Sequence, residues 1–190
     1  MFKIWEDVFG SSDKFTRVLA SQFVSDFRTN MILEFENAYK HADALAVAPY
    51  FSTHNVEADK IKSLSDVFAH IDAQKPAWIE ALNKQAELAE RYSLDLIAYE
   101  GGQHQVQSND ERLTELFIQA NRDPRMGEQY TWHLDQWKKA GGKHFVVFTS
   151  PARYSKWGSW GIKEYITQPR SEAPKYDAVL DWMEDNPKWW

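Results

Sequence analysis

The feature that most constrains the fold is an alternation of short apolar segments with longer segments of helical periodicity. Buried strands are predicted at 15–23, 42–51, 94–99 and 143–149, and helices at 30–40, 76–92, 111–120, 126–140 and 176–183. Near-continuous apolar runs such as 44–48 are typical of parallel strands that are covered on both faces. The order strand, helix, strand, helix therefore predicts parallel βαβ units with right-handed crossovers.

Length and composition predict one globular domain over residues 1–190. The chain has 190 residues, 43% of them hydrophobic, which is enough for a sizeable core. Its net charge of −6 and the lack of a basic run argue against a nucleic acid or an anionic membrane surface as a partner. The sequence has no cysteine, which excludes disulfides, thiolate metal sites and a cysteine nucleophile.

Two further features concern membranes and export. No apolar run approaches the roughly 18 residues that a membrane-spanning helix needs. Glu6 and Asp7 stand where a signal peptide would carry its apolar stretch. We therefore expect no membrane segment and no signal peptide within this sequence, and the localisation stays open.

Polar and aromatic residues follow each predicted strand. They lie at 21–22, 50–55, 100–104 and 150–160. Because ligands gather at the carboxyl ends of parallel strands, this convergence predicts a site. Glu100, which precedes two glycines, is either a solvated turn carboxylate or a carboxylate fixed at the mouth of the sheet. Gln103 and His104 can hydrogen-bond a carboxylate or sugar hydroxyls.

The aromatic content of 15% fits either a core of large side chains or a groove in which rings stack on sugars. Tyr50 suits core packing and ligand contact equally, whereas His54, in a polar loop, favours simple exposure. Trp157 and Trp160 lie in a loop rich in Gly and Ser, which favours sugar stacking over core packing.

No cofactor or metal is expected from the sequence. His54, His104, His133 and His144 are spaced in no ligand motif. Glycine-rich phosphate loops and a Gly-x-Ser-x-Gly elbow are also absent from the sequence, which disfavours nucleotide chemistry and a serine hydrolase.

A family resemblance covers nearly the whole chain in order. Residues 96–104, LIAYEGGQH, are similar to the seventh strand of clan A glycoside hydrolases, which are (β/α)8 barrels. The remaining matches resemble the fifth strand (17–22), the sixth strand (42–51), a stretch before the eighth strand (121–126) and the loop after it (154–161) in a bacterial cellulase-like or xylanase-like group. The resemblance implies an α/β fold that is a parallel (βα)4 half of a TIM barrel, strands five to eight of the full fold. A complete barrel typically needs about 250 residues.

The resemblance also implies an activity. In this clan the seventh strand presents the nucleophilic glutamate, here Glu100, for retaining hydrolysis of a β-linked polysaccharide, and the parent family is expected to be secreted. Tyr50 and His54 match positions that contact the sugar or the nucleophile. The clan's acid/base belongs to an Asn-Glu pair after strand four, and no Asn-Glu dipeptide occurs in this sequence. Retaining hydrolysis needs two carboxyl groups about 5–5.5 Å apart, so we expect the acid/base to be missing from this chain.

Three interpretations follow from this departure. The chain is a glycoside hydrolase that is active when complemented, a carbohydrate-binding pseudoenzyme without catalysis, or a barrel fragment that functions only by assembly. Four parallel strands leave two open edges and an apolar face. We therefore expect self-association or pairing with a missing N-terminal half-barrel.

Overall fold

The computed structural model describes residues 2–52, 57–106 and 109–189. Its helices are α1 (Phe2–Phe9), α2 (Asp26–Glu34), α3 (Leu64–Arg91), α4 (Glu111–Arg122), α5 (Pro124–Lys139) and α6 (Pro174–Asp185). Its strands are β1 (Val18–Ala20), β2 (Ala44–Val47), β3 (Phe51–Ser52), β4 (Asp95–Gly101), β5 (Gln103–His104) and β6 (Phe145–Val147). Short 3-10 helices lie at Ser12–Lys14, Phe35–His41 and Arg170–Glu172.

The sheet confirms the predicted α/β class. Strands β1, β2, β4 and β6 form one parallel sheet in that order, and β3 pairs with β5 in a second parallel pair. Neighbouring strands of the main sheet thus follow one another along the chain, as successive βα units require. This order is compatible with one half of a barrel.

The predicted strands differ from the observed ones mainly at their ends. The first strand is only Val18–Ala20, and the second predicted strand divides into β2 and β3. Pro49 lies between these two strands and has no N–H to continue a ladder of hydrogen bonds. The predicted boundaries at 15–23 and 42–51 are therefore wrong, although a strand lies inside each.

Two predicted helices also have the wrong bounds. Helix α3 begins at Leu64, where the Ser63 hydroxyl caps the Asp66 N–H, so Pro76 lies inside the helix and not in its first turn. Helix α2 begins at Asp26 because Ser25 caps it, and it ends at Glu34. The prediction of one helix over 30–40 is wrong because residues Phe35–His41 form a kinked 3-10 segment.

One face of the main sheet packs against the helices and forms the core. The buried residues that join sheet and helices include Leu45, Val47, Leu96, Ala98, Leu82, Leu113, Phe117, Leu134 and Trp137. No helix in the described part of the chain combines the length and the apolar character needed to cross a bilayer.

The opposite face of the sheet is only partly covered: the β2 residues on it are buried, whereas side chains of the neighbouring strands are exposed. Register and alternation put Val18, Tyr99 and Val146 on this face, and all three side chains are exposed. Beside edge strand β1, helix α2 carries Phe27 and Met31 on an exposed apolar stripe. Because a parallel sheet is ordinarily covered on both faces, this surface lacks the cover that such a fold requires.

Candidate functional site

A β-bulge near the end of β4 determines where the Glu100 side chain points. Ala98 pairs with Phe145 and Gly101 with Val147. Between these two pairs β4 advances by three residues, whereas β6 advances by two. The one extra residue reverses the alternation, and Glu100 follows Tyr99 toward the open face instead of returning to the core. Bulges commonly re-aim a side chain in this way next to active sites.

The two glycines after Glu100 are required by their surroundings. A Cβ on Gly101 would lie 2.5 Å from the Phe145 ring, so a side chain at this position would clash with the core. Gly102 has a φ of +143°, which residues other than glycine rarely adopt. The Glu-Gly-Gly sequence thus ends the strand tightly and fixes the carboxylate at the sheet's carboxyl end.

Tyr50, which follows β2, interacts directly with Glu100. The Tyr50 hydroxyl lies close enough to the Glu100 carboxylate for the two groups to interact. Burial raises the pKa of Tyr50, and the nearby negative charge of Glu100 raises it further. Tyr50 therefore remains a protonated donor toward this carboxylate, as a group that orients a nucleophile must be.

Four rings surround this contact and form what we call the aromatic cluster: Tyr50, His104, Phe148 and Trp160. The Tyr50 ring centroid lies 5.5 Å from His104 and 6.4 Å from Phe148. Trp160 closes the cluster at 5.6 Å from His104 and 6.2 Å from Phe148. Its members come from the ends of β2, β5 and β6, so three separate strand ends converge beside Glu100.

His133 supports Tyr50 from the core side. The His133 Nε2 lies 2.7 Å from the carbonyl oxygen of Pro49, so the Nε2 carries the hydrogen, and the buried Nδ1 has no hydrogen-bond partner among the residues that the structure describes. Burial lowers the pKa of His133 to about 3. A neutral imidazole thus holds the residue that precedes Tyr50.

A cleft of about 520 Å³ adjoins the aromatic cluster. Tyr50, Tyr99 and His104 line it on the site's side. The other residues that line it are Ser21, Gln22, Phe23, Val24, Ala48, Phe51, Ile71, Gln74, Lys75, Ala77, Trp78, Ala81 and Trp132. Its walls are therefore largely apolar and aromatic, with a few polar groups, as in most sites for organic ligands.

The predicted site residues are only partly brought together. Tyr50, Glu100, His104 and Trp160 meet at the strand ends. Gln103 instead is fully buried, and its side-chain amide donates to the Ser159 carbonyl at 2.8 Å and accepts from the Gln105 N–H at 2.7 Å.

Two other predicted residues stand apart from this group. Trp157 is 65% exposed, and its ring lies 4.8 Å from the Lys156 ammonium. The predicted ligand contact at His54 lies outside the described residues.

Sequence reasoning missed several residues around the site. Phe148 and Tyr99 lie within predicted strands, and alternation along β4 and β6 is the signal that puts them on the open face. Trp78 and Trp132, whose rings lie 5.2 Å apart in the cleft wall, fit the buried stripes of their helices and gave no separate signal.

The chemistry that these residues can perform is limited by the lack of a second acid. Residues 21–25, 48–52 and 148–163, which follow β1, β2 and β6, contain no Asp or Glu. Among the described residues, no group of three or more His, Asp and Glu side chains is arranged to hold a metal ion. The site thus offers one oriented carboxylate, hydrogen-bond donors and aromatic faces.

No protein-family model, no curated protein and no solved structure matches the chain.

Proposed function

We propose that this chain is a glycoside hydrolase-like half-barrel that binds a β-linked polysaccharide at the carboxyl ends of its parallel strands. Glu100 is the nucleophile of a retaining mechanism that needs a second carboxyl group from outside this chain. The observation that carries the proposal is the aromatic cluster at the edge of a cleft, in which Tyr50 also interacts with the Glu100 carboxylate.

Each part of this arrangement has a function in sugar chemistry. A pyranose ring presents apolar C–H faces, for which the rings of Trp160 and Tyr99 are suitable partners. His104 is placed to contact hydroxyl groups beside them. Glu100, fixed by the strand and oriented by Tyr50, would attack the anomeric carbon and form a glycosyl-enzyme intermediate.

The second carboxyl group would be supplied together with the missing cover of the sheet. In the retaining mechanism an acid protonates the leaving oxygen from about 5–5.5 Å away and later activates water. A further set of βα units that paired with the edge strands would cover Val18 and Val146 and could present that acid to Glu100. We propose such units, from an N-terminal half-barrel, as the catalytic partner.

A carbohydrate-binding protein without hydrolysis is the second candidate. The observation that favours it is that residues 21–25, 48–52 and 148–163, at the other strand ends of the main sheet, contain no Asp or Glu, while Glu164, farther along the loop after β6, is paired with Arg122. In this case the aromatic cluster and the cleft hold the sugar, and Glu100 accepts hydrogen bonds from its hydroxyls.

Binding and hydrolysis assays on matched variants test the proposal. Calorimetric titration with cellohexaose, xylohexaose and mannohexaose should detect binding of at least one sugar to the wild-type chain. Glu100→Gln should keep that binding, since it retains the shape of the side chain. Glu128→Gln, which changes an exposed glutamate on α5, is the control and should match the wild type.

Hydrolysis is measured as the release of reducing ends, with and without a co-expressed N-terminal (βα)4 half. We expect hydrolysis only in the complemented sample and its loss by many orders of magnitude in Glu100→Gln. Binding without hydrolysis in both samples would favour the second candidate. Lack of binding to all three sugars would overturn both.

A further inference from the structure

Lys175, in the first turn of α6, is fully buried, which is rare for a lysine. Its Nζ donates to the carbonyl oxygen of Ser159 at 2.6 Å and to the Asn121 Oδ1 at 2.8 Å. The Tyr154 ring lies 4.5 Å from the same nitrogen. Among the described residues, no carboxylate forms an ion pair with it. The acceptors of Lys175 are thus neutral groups, and one of them belongs to the loop after β6.

The Ser159 carbonyl is held by two buried donors at once. Besides Lys175, the Gln103 side-chain amide donates to it at 2.8 Å. Lys175 belongs to α6 and Gln103 to β5, so this one oxygen ties the loop to two elements of the body. Burial lowers the pKa of Lys175 well below its ordinary value, and the negative charge of Glu164 opposes this shift.

The residue after this anchored carbonyl is Trp160, a member of the aromatic cluster. The Trp160 carbonyl accepts from the Thr149 N–H at 3.1 Å, so the backbone is fixed on both sides of the Trp160 side chain. The ring then lies 5.6 Å from His104. An aromatic ring that binds a ligand contributes most when its position is set before binding.

We propose that Lys175 is a positioning residue for the carbohydrate-binding ring of Trp160. Through the Ser159 carbonyl it holds the loop so that this ring faces His104 and the edge of the cleft. This role rests on the proposed function and gives α6, which contributes no residue to the aromatic cluster, control over ligand affinity.

The substitution that tests this proposal is Lys175→Met, which keeps the length and the apolar body of the side chain but removes both donated hydrogen bonds. Gln103→Met removes the other donor to the same carbonyl and replaces the first variant if that one does not fold. Lys139→Met changes an exposed lysine on α5 and serves as the matched control.

The first readout needs no ligand. Hydrogen exchange is followed at the Gly158 and Ile162 amides, whose N–H groups donate to Ser155 and Thr149 within the loop. We expect exchange at both to be faster in Lys175→Met than in the wild type and in Lys139→Met. Unchanged exchange at these amides would overturn the proposal.

The second readout is affinity for the hexaose that the wild-type chain binds. Lys175→Met should weaken it about tenfold, the loss expected when one aromatic contact is not made. Added to Trp160→Ala, the same change should cause no further loss, because the ring that it positions is gone. A lower melting temperature with unchanged affinity, or a full additional loss in the Trp160→Ala background, would refute the positioning role. If the wild-type chain binds none of the three hexaoses, the proposed function fails, and the exchange readout alone decides whether Lys175 holds the loop.

Discussion

Acid should destabilise this fold chiefly through His133, of the described histidines the one with the largest lowering of its pKa. Its Nε2 donates to the Pro49 carbonyl, and its buried Nδ1 has no partner in the described part of the chain. The rings around it belong to Phe51, Trp78, Trp132 and Phe145. A second proton on this imidazole would have no acceptor and no counter-charge among these rings, so the folded state keeps His133 neutral.

The size of the effect follows from the two pKa values. Burial lowers the pKa of His133 to about 3 in the folded chain, against about 6.5 in an unfolded one. Between these values the unfolded state binds the extra proton, so stability is present above pH 6.5 and is lost as the pH falls toward 3. From pH 7 to pH 5 the free energy of unfolding should fall by about 2 kcal/mol through this residue, at about 1.4 kcal/mol for each pH unit below 6.5.

The measurement is urea unfolding at pH 7 and pH 5, followed by tryptophan fluorescence, on the wild type and two variants. His133→Gln keeps an N–H donor for the Pro49 carbonyl but does not titrate, so it should lose about 2 kcal/mol less than the wild type between the two pH values. His41→Gln, at an exposed position, should behave as the wild type. An equal pH dependence in all three proteins would refute the assignment to His133.

The remaining predictions concern aromatic and apolar side chains. Trp157→Ala should change stability by less than about 0.5 kcal/mol because the ring is exposed. Trp160→Ala should lower the free energy of unfolding by about 1–3 kcal/mol because two ring contacts are lost. Denaturant unfolding measures the two tryptophan variants, and an equal loss of stability in both would contradict the difference in burial. Phe27→Lys and Met31→Lys, on the exposed stripe of α2, should reduce self-association in light scattering while leaving the protomer folded, because neither side chain is part of its core. Leu33→Lys, on the buried side of the same helix, should unfold the chain. An unchanged molar mass in Phe27→Lys and Met31→Lys would show that the stripe is not a contact surface.

The end of β4 was the most predictable part of the site. An apolar run that stops at Glu-Gly-Gly carries its own termination signal, so the position of Glu100 at the strand end followed from local sequence. The bulge that turns Glu100 to the open face did not, because it depends on the pairing of Ala98 and Gly101 with β6. Local patterns report periodicity, whereas register is a property of two strands together.

The other wrong predictions also arise because local sequence patterns do not report contacts between distant elements. Proline favours the first turn of a helix, which predicts a helix that begins at Pro76. The buried residues Val67 and Ile71 instead extend the helix on the N-terminal side of Pro76. Gln103 was expected to face a ligand because it follows Glu100 closely, yet its amide is fully used by Ser159 and Gln105. Lys175 gave no signal at all, since its burial results from the packing of α6.

The open sheet face needs a covering layer and Glu100 needs a second acid, and one partner could supply both. Val18 and Val146 need a covering layer, and Glu100, on the same face, needs a second carboxyl group within about 5–5.5 Å for retaining hydrolysis. A second copy of this chain could cover the face, but it would bring only another Glu100 with its own set of strand ends, which contain no further acid. A different set of βα units could meet both needs. Self-association of the chain would therefore restore stability without activity, and recovery of both together would identify the partner as a distinct half-barrel.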